Sequence, residues 1–527
     1  MVDKSTSLEA REEVDLMVNL IQAEQSEHEH DYLGALTKLT AALALDPRRV
    51  DLWVQIGRIF AKMSNWAQAI PALETALQLR PGLPEAEHLL ALALYSTGRQ
   101  QEACQLIDLA CKKRNESALW AMRAYIHSHS SRDSAKALVV HQDWGRRFAD
   151  PLTRKAAPLV VKDRNPGKRL KVGYVTADFR EHSVAFFMLP ILRYHDPANV
   201  EVHVYSSGRA DGVTALIQQY VPHWHDVMNE SDEALLERIR SDGIDILVDL
   251  SGHTAGHRLL VFARRAAPVQ VTWMGYKPPL GMKAMDYRLF DASAERQQQF
   301  YGEKLFKLKC AVSYSPPAYA PIAEDPPMVR NGYVTYASLN SSAKITREVL
   351  ETWASILRTV QDARLLIYVK EENGEAAQLH MLPRVQEAGL PLDRVFVIAQ
   401  QPIAQFMETN HVADVMLDTF PICGGTTTLH AIWMGMPVVT MLGKQDVENS
   451  SVKTIRGLGF GGTVANTLDE YVLNAVKLSQ DAEFLRLCRR TYRERLGRST
   501  LMDYPARAAE VEAAYRQMWL DFLDKNK

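Results

Sequence analysis

Apolar positions along the chain follow two rhythms. In the first part they recur at helical spacing and also at a longer period. Ala35, Ala69 and Ala103 stand 34 positions apart, as do Leu39, Leu73 and Ile107, and again Ala42, Ala76 and Ala110. Pro47 and Pro81 keep the same step, each closing an apolar stretch (ALDP, LRPG). A 34-residue period with small residues at fixed helical positions is the tetratricopeptide pattern, in which alanines let neighbouring helix pairs approach closely. Two to three such units are visible, near the lower limit for a stable stack, so they should lean on helices beside them, in 118–147 or in the next domain. The polar cluster DRNPGK (163–168) then marks a linker, after which short apolar strands alternate with helices. Strands are predicted at 170–175, 200–207, 244–250, 269–275 and 286–291, and a second set at 333–338, 364–370, 394–399, 414–419 and 437–441. Thr346 is placed to cap a helix whose one face carries Val349, Leu350, Trp353, Ile356, Leu357 and Val360. Two successive strand–helix blocks imply two doubly wound α/β sheets. The expected partition is a helical repeat segment at 1–150, α/β domains at 151–325 and 326–500, and a C-terminal helix in 501–527 that packs back on them.

Composition changes this picture little. Of 527 residues, 47% are hydrophobic and 24% charged, ordinary for a globular protein of several domains. A formal net charge of −2 gives no electrostatic case for nucleic acid. Cys104, Cys111, Cys310, Cys423 and Cys488 are scattered, without a disulfide framework, which points to a reducing cytoplasm. No apolar run is long enough to span a bilayer, and the polar N-terminus does not read as a signal peptide.

The candidate chemistry lies on loops after strands. The segment 417–441, LDTFPICGGTTTLHAIWMGMPVVTM, reads as strand, Gly424–Gly425–Thr426–Thr427–Thr428 turn, short helix ending near Gly435, and strand. Glycines let a ligand approach the backbone, and a helix N-terminus presents N–H groups and a positive dipole end to phosphate. Three further loops fit the rule that α/β ligands bind beyond the carboxyl ends of strands. They carry His182 (TADFREHSVAFF), His253 (DLSGHTAGHR) and Lys344 (SLNSSAKITREVL). No GxxxxGK[ST] loop, no carboxylate pair placed for glycoside hydrolysis and no His/Cys cluster at metal spacing is present in the sequence. A lysine and a helix N-terminus suit a departing nucleoside diphosphate, and hence glycosyl transfer from a sugar nucleotide.

The segments VGYVTADFREHSV, DILVDLSGHTAG, APVQVTWMGY, MDYRLFD, SLNSSAKITREVLETWASIL, ADVMLDTFPICGGTTTLHAIWMGMPVVTM and AAYRQMW together resemble the nucleocytoplasmic protein O-glycosyltransferases. That family comprises O-GlcNAc transferase, its bacterial relatives and the SPINDLY-type O-fucosyltransferases. The match covers about the last two-thirds of the chain in family order, and the tetratricopeptide segment ahead of it fits. The resemblance implies a GT-B fold and inverting, metal-independent transfer to protein Ser or Thr hydroxyls. UDP-GlcNAc is the favoured donor and GDP-fucose the runner-up. By motif, Lys344 matches the lysine on the donor diphosphate, and His182 the histidine placed by donor and acceptor. Thr426 and Thr427 match the diphosphate-binding threonines. Asn340 and Ser341 fall in the donor loop, and Gln401, Ile403 and Phe406 in the region that holds the base. His253 and Tyr276 are candidates for an acceptor or cleft position, with a structural role for His253 weighed higher because glycine-rich turns after strands are common. No cofactor or metal is expected beyond the sugar nucleotide.

Several positions depart from the family pattern. His430 stands where relatives carry a ribose-binding acid, Ser341 where glutamine or asparagine is common, Gly425 where the animal enzymes have histidine, and Asn449 where many have arginine. GYKPPLGMKAMDY lacks a hydroxyl-rich turn, and GKQDVENSSVK is unusual. The expectation is a cytoplasmic protein O-glycosyltransferase that recruits acceptor proteins through its repeats, with an oligomer left open. Transfer of fucose, transfer to asparagine, a lipid- or polysaccharide-directed enzyme, and a scaffold with weakened catalysis are the alternatives.

Overall fold

The computed structural model describes residues 4–130, 133–291, 297–371, 373–444 and 448–526, with the backbone alone for 4–12. Within the GKQDVENSSVK run, Gln445, Asp446 and Val447 lie outside the described residues. By Cα proximity the chain forms two compact units, residues 1–119 with 337–401, and residues 120–336 with 402–527.

The repeats fold as the period predicts. Helices α1 (Lys4–His28), α2 (Tyr32–Leu45), α3 (Val50–Lys62), α4 (Trp66–Leu79), α5 (Pro84–Ser96) and α6 (Gln100–Lys113) follow one another and pack in pairs, α1 with α2, α3 with α4 and α5 with α6. Every alanine of the 34-residue pattern is fully buried, as are Leu39, Leu73 and Ile107 to within 1%. The turns repeat as well. Asp31 caps α2 through a bond from the Gly34 N–H (2.9 Å) and Asn65 caps α4 through one from Gln68 (3.4 Å). The residues just before these positions, His30, Ser64 and Gly98, all have left-handed φ (63°, 57° and 77°).

The first sheet comprises β1 (Leu170–Thr176), β2 (Val200–Ser206), β3 (His223–Asp226), β4 (Ile246–Asp249), β5 (Val269–Thr272), β6 (Tyr287–Asp291) and β7 (Lys304–Leu308). Their order is β3-β2-β1-β4-β5-β6-β7. The pairs are parallel, with Leu170↔Val200 running to Thr176↔Ser206 and Val172↔Ile246 to Val175↔Asp249. β3 and β7 were not predicted. HWHD and KLFKL lack the continuous apolar run of a doubly buried strand, because both lie at the sheet's edges. The second sheet comprises β8 (Thr335–Ser338), β9 (Arg364–Tyr368), β10 (Val395–Ile398), β11 (Val415–Leu417), β12 (Val438–Met441) and β13 (Val464–Ala465). Its order is β10-β9-β8-β11-β12-β13. Both sheets thus reverse direction in the doubly wound way, between β1 and β4 and between β8 and β11. The helix Tyr504–Lys525 lies against the first sheet, where Val511, Ala514, Tyr515, Met518 and Trp519 join the core of β1, β2 and β4. Its Glu512 accepts from the Asp196 N–H (2.8 Å), the His195 Nδ1 (3.0 Å) and the Asn199 side chain (3.1 Å).

Candidate donor and acceptor site

The reversal points are where an α/β sheet leaves a crevice, and the loops singled out in the sequence follow β1, β4, β8 and β11. A buried aspartate shapes two of them in the same way. Asp418, after β11, accepts from the N–H groups of Thr419 (2.9 Å) and Gly424 (2.7 Å) with Oδ1 and from the Thr440 hydroxyl of β12 (2.7 Å) with Oδ2. Asp249, ending β4, accepts from Ser251 and Gly252 N–H (both 3.1 Å) and from the Thr272 hydroxyl of β5 (2.8 Å). Each carboxylate ties a glycine turn to a hydroxyl on the neighbouring strand. Sequence reading weighed the glycines and hydroxyls and passed over the aspartates. The signal was there: Asp at a strand end, a hydroxyl residue within two positions, and glycine after it.

The Asp418 knot sets the Gly-Gly turn ahead of the helix Thr426–Trp433, whose N-cap position is Gly425. A Cβ on Gly425 would meet no atom within 4 Å, so the turn's outer side is open to an incoming group. Thr426 and Thr427 are half-buried at the helix start. Thr428 differs. Its side chain is fully buried and its hydroxyl pairs with Ser451 (2.7 Å), which in turn donates to the Gly424 carbonyl (3.1 Å). Thr428 therefore supports the turn from inside. Asn449 closes the next loop by exchanging two bonds with the Gly443 backbone (2.8 and 3.0 Å).

His430 lies one turn into the same helix and is 3% exposed. Its Nδ1 meets the Tyr314 hydroxyl at 2.7 Å, and it packs edge-on against Phe186 (5.1 Å) and Phe406 (6.0 Å). Burial alone pushes the imidazole pKa down to about 3, so the ring is neutral. Phe186 belongs to the helix Ser183–Tyr194, and His182 is that helix's N-cap. The structure therefore brings His182's helix, His430 and Phe406 together inside one unit, with half-buried Ile403 on the same short helix as Phe406. His182 Nδ1 accepts from the Val184 N–H (3.3 Å) and stands 3.6 Å from an Asp178 oxygen. An Nδ1 that accepts assigns the neutral ring's hydrogen to Nε2.

Lys344, Asn340, Ser341 and Gln401 belong to the other unit. Asn340 is buried (3%), Ser341 exposed, and Lys344 and Gln401 half-buried. Lys344 ends a single 3-10 turn, Ser342–Lys344, two residues before the cap Thr346, whose hydroxyl accepts from Val349 (3.4 Å) as predicted.

His253 and Tyr276 are interior groups, each 3% exposed, where the sequence suggested an acceptor or cleft position. Tyr276 is held between His141 Nε2 (2.7 Å) and Ser128 (3.2 Å), and His253 Nε2 donates to the Leu280 carbonyl (3.0 Å). They fasten the helices of residues 117–144 to the first sheet. Local spacing showed no metal-type cluster, but sheet register makes one. His203 pairs with His223 across β2 and β3, and Glu201, His203 and His223 bring ligand atoms within 4.8 Å of one another, as do His203, His225 and Asp242. The carboxylates are already engaged, Glu201 by Arg169 (3.1 Å) and Lys171 (3.6 Å) and Asp242 by the Tyr205 hydroxyl (2.6 Å). Two cations on Glu201 oppose a third, so the cluster is a stacked edge ladder rather than an ion site.

A tetratricopeptide stack followed by two doubly wound parallel sheets is the layout of the GT-B fold. The glycosyl transferase family 41 model matches residues 152–312 and 327–511, and a tetratricopeptide model matches 29–84 and 54–118; the chain belongs to glycosyl transferase family 41. It is 35% identical over 430 residues to a tomato protein described as a probable UDP-N-acetylglucosamine–peptide N-acetylglucosaminyltransferase SPINDLY, covering 79% of this chain and 45% of that one. The Arabidopsis SPINDLY protein is 36% identical over 399 residues (73% and 43%). The chain spans less than half the length of these relatives. Among solved structures, a mutant of Thermobaculum terrenum O-GlcNAc transferase superposes with a TM-score of 0.86 at 30% identity, covering 98% of this chain and 99% of that one. Among the described residues no helix is long and apolar enough to cross a membrane.

Proposed function

We propose that this protein transfers a sugar, GlcNAc in first place, from a UDP-linked donor to serine or threonine hydroxyls of acceptor proteins recruited through its repeats. The observation that carries the reading is the Asp418-anchored Gly-Gly turn heading the helix Thr426–Trp433 at a sheet reversal. Helix N–H groups of that turn, with the Thr426 and Thr427 hydroxyls, suit a diphosphate. The names of the SPINDLY relatives and of the Thermobaculum enzyme support the donor and the acceptor class.

In the reaction the acceptor oxygen bonds to the anomeric carbon as the bond from that carbon to the diphosphate oxygen breaks. The diphosphate keeps the electron pair, and the hydroxyl proton passes, in net terms, to solvent. Lys344 and the threonine turn offset the charge that develops on the leaving group. His182, with hydrogen on Nε2, donates rather than accepts at that nitrogen, which suits orienting the acceptor or a phosphate oxygen more than removing a proton.

GDP-fucose is the second reading, favoured by Gly425, which stands where the animal enzymes have histidine and is closer to the SPINDLY type. Titrating UDP-GlcNAc and GDP-fucose, then following labelled sugar onto lysate proteins, separates the two donors and a binding-only scaffold. Lys344→Ala is expected to abolish transfer with an unchanged melting temperature. Normal turnover in that variant, or no affinity for either nucleotide sugar in the wild type, removes the assignment.

A further inference from the structure

One repeat turn departs from its siblings. Positions 30, 64 and 98 adopt the same left-handed backbone, yet the first two are His and Ser, and only the third is glycine. Conformation alone does not demand glycine here, since His30 and Ser64 manage without it. Contact does: a Cβ on Gly98 would lie 2.9 Å from the Ile345 carbonyl oxygen and 2.6 Å from the Arg384 guanidinium. The α5–α6 turn is pressed against the loop that carries Lys344, within one compact unit.

Hydrogen bonds fix that contact on both sides of the lysine. The Ser342 hydroxyl donates to the Ser96 carbonyl (3.1 Å), and the Gln100 amide donates to the Ala343 carbonyl (2.9 Å). Arg384 donates to the Ile345 carbonyl. Ser342, Ala343 and Ile345 are 3%, 7% and 0% exposed, so these bonds are shielded from water. A second line of polar groups reaches the same point from α4. The Trp66 N–H at the start of α4 donates to Glu371 (3.4 Å), Glu371 meets His380 Nδ1 (2.5 Å), and Arg384 donates to His380 Nε2 (3.2 Å). An Nε2 that accepts from arginine leaves the ring hydrogen on Nδ1 for Glu371, so donor and acceptor directions agree from Trp66 to Ile345.

We propose that the repeat stack positions Lys344: Gln100, Gly98 and Arg384 are positioning residues that set where the lysine's backbone sits, and through it the grip on the donor diphosphate. The inference rests on the role given to Lys344 above. It implies that the repeats do more than recruit acceptors, since a load on α4–α6 is felt at the catalytic loop.

The test titrates UDP, or GDP if the wild type prefers it, into full-length protein and measures kcat and acceptor KM. Gln100→Ala is expected to weaken diphosphate affinity about fivefold and to lower kcat, with acceptor KM unchanged and the melting temperature lowered only as for one lost hydrogen bond. Gly98→Ala should weaken it more, by about tenfold or beyond, because the carbonyl must move. The deciding measurement is the double variant: with Lys344→Ala present, Gln100→Ala should cost no further affinity. The proposal is overturned if Gln100→Ala and Gly98→Ala bind diphosphate and turn over within twofold of wild type while Lys344→Ala is dead. It is overturned equally if the Gln100→Ala loss persists undiminished without the lysine. If Lys344→Ala itself binds and turns over normally, the functional reading of Lys344 falls instead, and the two failures are told apart.

Discussion

At the scale of single residues, His182 holds two jobs that a substitution can separate. It caps the helix Ser183–Tyr194 through Nδ1, and the hydrogen on Nε2 is its part in the proposed reaction. His182→Ala should lose the cap, about 0.5–1 kcal/mol of stability, together with transfer. Asparagine is a strong N-cap residue. His182→Asn should therefore regain the wild-type melting temperature while transfer stays low. Recovery of activity in the asparagine variant would show that the cap, and not the imidazole, is what the reaction needs. His430 teaches the complementary lesson. From sequence it stood as a replaced ribose ligand, and its type and position were legible. Its burial beneath Phe186 and Tyr314 was not, because those partners lie on other elements far away in the chain. His253 and Tyr276 stood as possible acceptor or cleft residues, and the structure buries both. A histidine and a tyrosine after strand ends look like site residues until the helices of 117–144 are seen packed over them.

Elements were the most readable level. Central strands announce themselves by continuous apolar runs, and helices with clear faces and caps fell where periodicity put them. The misses were the edge strands β3 and β7 and the two-residue β13, whose sequences carry polar or too few residues to signal burial. The paired aspartate knots belong to this scale too. Asp418→Ala leaves two N–H groups and the Thr440 hydroxyl without an acceptor, and should cost about 2–3 kcal/mol. Asp249→Ala should cost a similar amount. Only the Asp418 variant is expected to lose diphosphate affinity beyond its loss of stability, which a nucleotide titration alongside urea unfolding would show. Equal diphosphate affinity in the two variants would count against the Gly424–Thr428 turn as the donor grip.

For the whole molecule, buried neutral histidines govern the response to acid. Burial lowers His141 and His430 to about 3 and His257 to about 4, and holds His253 well below the ordinary value. In the unfolded chain each takes its proton near pH 6.5. Because the folded pKa values are depressed, the unfolded state binds protons first as pH falls. Stability is full above about pH 6.5 and is lost progressively from there towards pH 3–4, by up to about 1.4 kcal/mol per pH unit for each such histidine. Urea midpoints should fall between pH 7 and pH 5, and His257→Asn should flatten that slope by about one proton; a flat profile over this range would refute the account. The left-handed turn at positions 30, 64 and 98 carries a consequence for how such proteins change. The first turn touches none of the coupling groups, the second leads into Trp66, and the third is pressed against the Ile345 carbonyl. Whole 34-residue units can therefore be added or removed ahead of α4 without disturbing the contacts at Trp66 and Gly98, so the stack is free to vary in length while the loop 342–345 keeps its seat.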